Sequence, residues 1–512
     1  MAEIFRNCVW VCMVFVASIA AYHASGQLSL TGQLRTRSEY RDGVGTLNAK
    51  SNDAAFFTSQ RTRLIFNYKA SKVIFQASLQ DVRVWGQDAS TISNADGSRL
   101  SVHEAWAEII LANKKDTIFH NANGPDYFGI KIGRQELLYD DSRLLGNLDW
   151  LQQARRHDAI VFKLLAKGWQ VDLGNAFNQN TDAFNYNGTY YTPANVSPYI
   201  KDSKGNLTPT PAGLIPFTNT IGWSTKTGAP SLLAIPSTNG LNQDYKALQF
   251  LYAAKTFAST KLTGLLLADH FGRYSIDSTK NIAGSDTGYV YGRRFNKKGV
   301  NSRVTTGFLL SSSLDKKKAF ALTAGFYYQA GKDRDGQKLS AYTSTLSLAY
   351  TKNKFAYTAG WDYLSGNDAF STSTVNHRFD PLYGTPHKFW GFMDYFYVAT
   401  GAPSGGLSNQ FIKTKYTSKN KRLAATLDYH YFSLANYQKD GNGNSVKKYL
   451  GSEIDFITFY SLNKFTNLEW GTSVMAASKS MEYAKAVAPG TSKLTGFWSY
   501  LSINITPSFV FK

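Results

Sequence analysis

The sequence predicts an all-β protein, a transmembrane antiparallel up-and-down β-barrel of about 18 strands. Three observations predict it. Apolar and polar residues alternate in runs of about ten residues, short and long connections between these runs also alternate, and past the N-terminus no run of about 20 apolar residues could form a membrane helix. The 512 residues are 14% aromatic, too many for a disordered chain, and carry a formal net charge of +20.

Residues 1–26 are interpreted as a secretory signal peptide. Residues 8–21 form an apolar run, and the small residues Ala24 and Gly26 precede a cleavage site after Gly26. A transmembrane anchor is the alternative, but the run is shorter than the roughly 20 residues that a span requires. Both cysteines, Cys8 and Cys12, lie in this segment, so we expect a mature chain without disulfides or thiolate metal sites.

Residues 27–512 are interpreted as a single barrel domain. In residues 355–363 the large side chains of Phe355, Tyr357 and Trp361 alternate with smaller or more polar ones. The same period of two recurs in residues 28–35, 61–69, 422–431 and 451–460. Strands of about ten residues are long enough to cross a bilayer when tilted, and only one face of each strand has to be apolar.

The connections between the runs fall into two classes that largely alternate along the chain. The short ones are residues 70–72, 166–168, 314–318, 351–354, 418–421 and 463–464, and the long ones are residues 41–55, 87–99, 178–243, 272–299, 366–405, 435–448 and 479–493. This arrangement is typical of a membrane barrel with short periplasmic turns and long extracellular loops, of which 178–243 is the longest. Aromatic residues near the strand ends are assigned to interfacial girdles; they are Tyr68, Trp85, Trp106, Trp169, Tyr363, Tyr431, Tyr460, Trp470 and Trp498.

Four groups of short motifs carry a resemblance to a known family. They are SQRTRL at 59–64 with DVRVWG at 81–86; GRQEL at 133–137 with DSRLLG at 141–146, DW at 149–150 and ARRHDA at 154–159; YQAGKD at 328–333 with Gly336 and AY at 341–342; and LSGND at 364–368 with FDPLYGT at 379–385 and HKF at 387–389. Together they resemble the alginate-export family of outer-membrane channels, especially its Bacteroidetes-type members, from the first strand to the last. The resemblance implies a monomeric 18-stranded barrel with an electropositive lumen for an anionic polysaccharide, in which residues 135–156 fold into the lumen.

Alternation and the matching motifs together place a set of charged side chains in the lumen. The basic members are Arg35, Arg37, Arg61, Arg63, Lys69, Arg83, Arg134, Arg143, Arg155 and Arg156, and the acidic members are Asp149, Asp158, Glu104, Glu108, Asp362, Asp428, Glu453, Asp455 and Glu469. Guanidinium groups lining a pore would attract anionic solutes and bind their carboxylates. Alternatively, the arginines pair with the inward acids as a structural ladder, and the sequence leaves both roles open.

The sequence therefore predicts a passive channel, or porin, in the outer membrane of a Gram-negative bacterium, for anionic solutes such as acidic oligo- or polysaccharides. A general small-nutrient porin and a structural or adhesive barrel acting through its long loops are the alternatives. No catalytic motif or metal-ligand spacing is found, so we expect no enzyme, no metal and no cofactor. The expected partners are outer-membrane lipid, the solute or polysaccharide, and periplasmic export or uptake proteins, but not nucleic acid, and the chain is expected to be a monomer.

Overall fold

The computed structural model describes residues 26–86, 100–114, 124–178, 196–219, 221–231, 245–281, 287–396 and 403–511. The predicted signal peptide lies outside the described residues except for Gly26, as do residues 87–99 and parts of the predicted loop 178–243. The only α-helix among the described residues, α1 (Lys479–Ala484), has six residues, and no described helix is long and apolar enough to cross a membrane.

Antiparallel strands dominate the described part of the chain. They are β1 (Gln27–Asp42), β2 (Ala55–Lys69), β3 (Val73–Val84), β4 (Ser101–Asn113), β5 (Tyr127–Gln135), β6 (His157–Ala166), β7 (Trp169–Phe177), β8 (Tyr199–Lys201), β9 (Leu207–Pro209), β10 (Leu214–Thr218), β11 (Ala229–Pro230), β12 (Ala247–Phe257), β13 (Thr260–Asn281), β14 (Gly288–Ser313), β15 (Phe320–Lys332), β16 (Lys338–Lys352), β17 (Phe355–Leu364), β18 (Leu407–Thr417), β19 (Leu423–Ser433), β20 (Tyr449–Ser461), β21 (Thr466–Ala477), β22 (Thr495–Ile505) and β23 (Ser508–Phe511).

Eighteen of these strands, β1–β7 and β12–β22, form a closed barrel in which sequence neighbours pair antiparallel. The barrel closes where β1 pairs with β22, and the short β23 extends this pairing along the start of β1. Closure pairs the backbone groups of both edges, which a strand protein needs in a bilayer. The predicted fold class, an antiparallel barrel of 18 strands, is confirmed.

The alternation of side chains separates an apolar outer face from a polar inner face. On β16, Leu346 and Leu348 are exposed on the outside, whereas Thr343 and Thr345 are buried inside the barrel. The described short turns lie at one rim and the described long loops at the other, as the sequence predicts. Because outer-membrane barrels have short periplasmic turns and longer extracellular loops, the long-loop rim is assigned to the outside of the cell.

Two of the predicted long loops are wrong, because 272–299 is mostly strand and much of 366–405 packs inside the barrel, whereas 178–243 remains a long connection between β7 and β12. The segment 272–299 is not a long loop, because β13 and β14 continue through most of it as a paired ribbon that extends beyond the neighbouring strands. The predicted loop 178–243 contains the strands β8–β11, and Leu214–Thr218 (β10) pairs with β14 on this ribbon. The segment 272–299 is polar, which suggested a loop, but its described residues lie along paired, extended strands.

The inside of the barrel contains two irregular segments and an apolar core. We call residues 136–156, between β5 and β6, the lumen segment, and residues 365–396, after β17, the second lumen segment. Buried apolar side chains from both segments pack together, among them Leu145, Tyr383 and Trp390. The core therefore lies within the barrel at these segments and not between separate layers of secondary structure.

Two aromatic residues that the sequence analysis assigned to the girdles belong instead to this interior. Trp498 is fully buried and packs against Trp150 of the lumen segment, with ring centroids 5.6 Å apart. Trp106 donates a hydrogen bond to Glu104 (3.1 Å), and the ammonium group of Lys131 lies 3.8 Å from its ring. Position near a strand end does not distinguish the two faces; the phase of the alternation does.

Candidate functional site

Four arginines lie on the inner face of the first two strands. Arg35 and Arg37 of β1 and Arg61 and Arg63 of β2 occupy alternate positions, and Arg35 is directly opposite Arg61 in the strand register. Like charges directly opposite each other destabilise a sheet unless a counter-charge is shared between them. We call these four residues the arginine ladder.

Asp149 of the lumen segment provides that counter-charge. Its carboxylate accepts two hydrogen bonds from Arg61 (2.8 and 3.2 Å) and one from Arg63 (2.9 Å), and lies 3.6 Å from Arg35. Burial raises the pKa of the Asp149 carboxyl, but the neighbouring Arg61 and Arg63 lower it by more, so it lies below its usual value of 3.8. Asp149 is therefore ionised at neutral pH, and its carboxylate is the shared counter-ion of the Arg35, Arg61 and Arg63 guanidinium groups.

The arginine ladder also binds the main chain of the lumen segment. Arg35 donates hydrogen bonds to the carbonyl oxygens of Asp149 (2.8 Å) and Leu151 (3.0 Å), and Arg37 donates one to that of Trp150 (2.9 Å). The guanidinium of Arg37 also lies 4.2 Å from the centroid of the Trp150 ring system. The ladder therefore holds the lumen segment against the β1–β2 wall, which is the structural role that the sequence left open.

Glu39 is an inward acid that the sequence analysis missed. Its carboxylate accepts hydrogen bonds from Arg37 (2.8 Å), Arg41 (2.9 Å) and the indole of Trp498 (3.1 Å), and its side chain is fully buried. Glu39 follows Arg35 and Arg37 at the same phase of β1, so the alternation alone could have identified it. With Arg41 included, five guanidinium groups on β1 and β2 share the carboxylates of Glu39 and Asp149.

The other end of the lumen segment is tied to the opposite side of the barrel. Arg143 forms an ion pair with Asp362 of β17 (2.9 Å) and a second with Asp141 (3.3 Å), and it lies 4.1 Å from the ring centroid of Phe389. Arg155 donates a hydrogen bond to the carbonyl oxygen of Gly384 (2.8 Å). Both predicted arginines therefore join the two lumen segments or bind them to the barrel wall.

Main-chain hydrogen bonds connect the two lumen segments directly. The amide of Gly146 donates to the carbonyl oxygen of Tyr383 (2.9 Å), and the amide of Tyr383 donates to that of Leu144 (3.1 Å). The amide of Thr385 donates to the carbonyl oxygen of Ser142 (2.8 Å). The pairing is strand-like, so the two segments form one body across the lumen.

The second lumen segment is anchored by a buried ionic cluster that contains no predicted site residue. Arg303 of β14 pairs with Asp269 of β13 (2.5 Å) and with Asp380 (2.7 Å), while the hydroxyl of Tyr383 donates to Asp269 (2.8 Å). Arg303 and Asp269 are at most 3% exposed, so each neutralises the other in a water-poor environment. The inward phase of β13 and β14 could have pointed to the pair, had the ribbon been recognised as strands.

Most of the predicted inward acids are paired as well. Glu108 binds Lys163 (2.9 Å), Asp428 binds Lys413 (3.1 Å), and Glu469 accepts a hydrogen bond from Tyr500 (2.6 Å).

Glu453 and Asp455 instead accept hydrogen bonds from the amides of Met393 (2.8 Å) and Phe392 (3.4 Å). Glu104 accepts hydrogen bonds from Gln76 and Trp106. Lys69 has the inward phase of β2 at the short-turn rim, where it is exposed.

Two residues predicted to line the lumen, Arg134 and Asp158, lie on the outside of the barrel. Arg134 of β5 and Asp158 of β6 face each other in register and form an ion pair (2.8 Å). Arg134 lies three residues after the inward Lys131 on β5, so its side chain points to the opposite, outer face. The motifs suggested a lumen position, but adjacent residues of a strand point to opposite faces. Arg83 has the outer phase of β3 and pairs with Asp81 (2.7 Å), but it still borders the cavity that Arg37 and Arg156 line, so its predicted place at the lumen is retained.

Two cavities border the lumen segment, one toward each rim. The long-loop cavity has a volume of about 530 Å³, and its lining includes Arg37, Glu39, Arg41, Phe57, Ser59, Gln80, Gln152, Gln153 and Arg156. The short-turn cavity has a volume of about 410 Å³, and its lining includes Asp140, Asp141, Arg143, Lys261, Lys388, Phe389, Phe411 and Lys413. Arg156 forms no ion pair with any residue that the structure describes, unlike the four ladder arginines.

The comparisons with known proteins agree with this architecture. Residues 26–179 match the family model described as alginate export, a stretch that includes β1–β7, the arginine ladder and the lumen segment. No match to a curated protein sequence was found. The resemblance of the later motifs and of the Bacteroidetes-type members stays a prediction, because the family match ends at residue 179.

Solved outer-membrane proteins share the fold at low sequence identity. Acinetobacter baumannii OccAB4 is 14% identical with a TM-score of 0.52, and the alignment covers 94% of this chain and 98% of that one. The outer membrane protein opdK from Pseudomonas aeruginosa is 9% identical with a TM-score of 0.50, covering 94% and 99%. At these identities the likeness shows the fold alone. The chain is thus similar to the alginate-export family over residues 26–179, and as a whole it has the fold of outer-membrane channels.

Proposed function

We propose that this chain is a passive outer-membrane channel that prefers anionic solutes, with acidic oligo- or polysaccharides as the favoured class. The observation that carries the proposal is the charge imbalance on the β1–β2 wall, where five guanidinium groups share the carboxylates of Glu39 and Asp149. Unbalanced charge in a low-dielectric wall gives the lumen a positive potential even where the arginines themselves are buried.

The long-loop cavity has the chemistry that an acidic saccharide requires. Arg41 is half-buried, Arg156 has no ion-pair partner among the described residues, and guanidinium groups bind carboxylates in a fork. The exposed amide of Gln153 suits sugar hydroxyls, and the ring of Phe57 offers an apolar surface. Arg61 and Arg63, by contrast, form hydrogen bonds with Asp149. We therefore expect them to contribute to the electrostatic potential of the lumen and not to contact the solute directly.

Replacing Arg41 and Arg156 with glutamine tests the anion preference. Removing one unit charge about 8 Å from a passing ion changes its energy by about 0.5 to 1 kcal/mol, roughly two- to fivefold in permeability. We therefore expect the R41Q/R156Q variant to have a lower anion-to-cation permeability ratio in planar bilayers. The control is R134Q, which removes an arginine that pairs with Asp158 on the outer face and does not line this cavity; an effect of R134Q equal to that of R41Q/R156Q would contradict the proposal.

A block experiment on the same channels tests the solute class. A short uronate oligomer added at the long-loop side should reduce the chloride current at concentrations where a neutral oligosaccharide of equal length has no effect. Vanillate is a useful small carboxylate probe, since one of the solved neighbours is Pseudomonas aeruginosa OpdK with vanillate. Equal block by neutral and acidic sugars would favour the general nutrient porin, and a folded protein without conductance would favour the adhesive barrel.

The proposal includes a monomeric channel that works with periplasmic export or uptake proteins. The closed barrel excludes association through an open strand edge, because β1 and β22 pair with each other. A passive pore has no inherent direction, so the solute gradient and the periplasmic partners would set the direction of transport.

A further inference from the structure

Three potential metal ligands meet on the inner wall beside the root of the lumen segment. They are His103 and Glu104 of β4 and Glu136, the first residue after β5. Ligand atoms of the three side chains all lie within 4.8 Å of one another. The proposed channel function does not use this cluster.

A β-bulge makes the cluster possible. Consecutive strand residues normally point to opposite faces, so His103 and Glu104 could not share a site in a regular strand. The register between β3 and β4 shifts so that Ser78 pairs with Glu104 and Leu79 with Val102, which leaves His103 as an extra residue. Both side chains therefore lie on the inner face, and bulges often reposition side chains next to functional sites.

The imidazole of His103 is buried, but its ring nitrogens have poor hydrogen-bond partners. The side chain is 1% exposed, its Nδ1 has no hydrogen-bond partner among the described residues, and its Nε2 lies 3.4 Å from Glu136 Oε1. That distance is long for a hydrogen bond. It equals the spacing of about 3.4 Å between two donor atoms that are each bonded at about 2.1 Å to one tetrahedral metal ion.

Hydrogen-bond donors hold both carboxylates. Glu104 accepts hydrogen bonds from Gln76 (2.7 Å) and Trp106 (3.1 Å), and Glu136 accepts one from Asn147 (2.9 Å). Within the described residues, neither carboxylate forms an ion pair with lysine or arginine. Such donors hold ligating carboxylates in place in metal sites, where they form the outer shell.

We infer that His103, Glu104 and Glu136 bind a divalent transition-metal ion of the zinc class, which fastens the root of the lumen segment to β4. One imidazole with two carboxylates favours such an ion over Ca²⁺ or Mg²⁺, which prefer oxygen ligands alone. Three protein ligands leave a fourth position for water. The positive charges of Lys131, Arg61, Arg63 and Arg156 around the cluster oppose cation binding, so we expect micromolar rather than tighter affinity.

Metal binding to the full-length protein in detergent tests the inference. The chelator-treated protein is dialysed against micromolar Zn²⁺, and bound zinc is measured by mass spectrometry. We expect one Zn²⁺ per wild-type chain, and at least tenfold weaker binding in Glu136→Gln and in His103→Gln. The control Glu469→Gln removes an inner-face carboxylate that accepts from Tyr500 and should leave zinc binding unchanged.

Heat-dependent gel mobility shows whether the variants fold. If they do not, a second measurement on the wild-type protein tests the inference. Co²⁺ in place of Zn²⁺ should give the visible absorption of a four-coordinate nitrogen and oxygen site, and Zn²⁺ should abolish it. Absence of stoichiometric Zn²⁺ binding by the wild type, or equal binding by wild type and both folded ligand variants, would overturn the inference and leave a simple His103–Glu136 contact.

Discussion

At the residue scale, Asp149 decides what the arginine ladder does. Without it, Arg35 and Arg61 would face each other as unshielded like charges across two strands. With it, Arg61 is fully buried while the Asp149 side chain keeps 40% of its surface exposed. A solute in the lumen therefore meets one carboxylate in front of several guanidinium groups, which is why the proposed function assigns this wall a positive residual potential.

Replacing Asp149 with asparagine should raise the anion-to-cation permeability ratio, because the arginines keep their charge and lose the shared carboxylate. The expected change is roughly two- to fivefold, as for any unit charge about 8 Å from the ion path. Asp149 forms no main-chain ladder bond between β1 and β2, and the fifteen-residue pairing of these strands outweighs one lost counter-charge, so the variant should retain the heat-dependent gel mobility of the wild type. A lower ratio, or no change in a folded protein, would contradict the assigned role.

Wild type and Asp149→Asn are expected to differ in their permeability ratio, and the lowered pKa of Asp149 determines how that difference depends on pH. A carboxyl whose pKa is depressed in the folded protein contributes its stabilisation above its usual pKa of 3.8 and loses it as the pH falls through the lower value. The difference in permeability ratio should therefore stay constant from about pH 5 to 8 and shrink only in stronger acid.

Alternation predicted the inward phase of Arg35, Arg37, Arg61 and Arg63 from the sequence, but not their partners. Asp149 lies in an irregular segment more than 80 residues away from Arg61 in sequence, and only the folded path of residues 136–156 brings it to the ladder. Arg134 and Asp158 were misplaced because motif resemblance was given more weight than strand phase.

At the scale of elements, the two lumen segments act as one body because their main chains pair. Gly384 lies at the contact, where a Cβ atom would come within 1.9 Å of the carbonyl oxygen of Arg143. That neighbour is backbone and cannot move aside without separating the segments. Gly441 of the β19–β20 loop has no atom within 4 Å of the equivalent position, which makes it a matched control.

Gly384→Ala should loosen the contact between the lumen segments and increase single-channel conductance or its fluctuations, whereas Gly441→Ala should behave as the wild type. Both residues lie outside the barrel strands, so neither change should alter the heat-dependent gel mobility. Identical conductance of the two folded variants would show that the contact between the segments does not limit the ion path.

The regular strands were the most predictable elements, since each has one lipid face and a period of two. The ribbon of β13 and β14 was missed because beyond the neighbouring strands it has no lipid face to make the alternation visible. The second lumen segment was predicted as an extracellular loop because its partners, such as Asp269 and Glu453, are distant in sequence. Irregular chain that depends on long-range contacts carries no local period.

At the scale of the whole molecule, the position of charge matters more than the net charge of +20. The outer face presents apolar side chains to lipid, while ionic groups and a compact apolar core fill much of the inside. Most inward acids have their own partners, whereas the β1–β2 wall holds more guanidinium groups than carboxylates. The account therefore predicts selectivity from one wall of the lumen and not from the protein as a whole.

The reversal potential of the wild-type channel in a planar bilayer under a tenfold KCl gradient tests this central claim most directly. The account predicts a stable conductance whose reversal potential has the sign of chloride preference, at neutral pH and moderate salt. A reversal potential near zero or of the opposite sign in a conducting, folded protein would contradict an electropositive ion path.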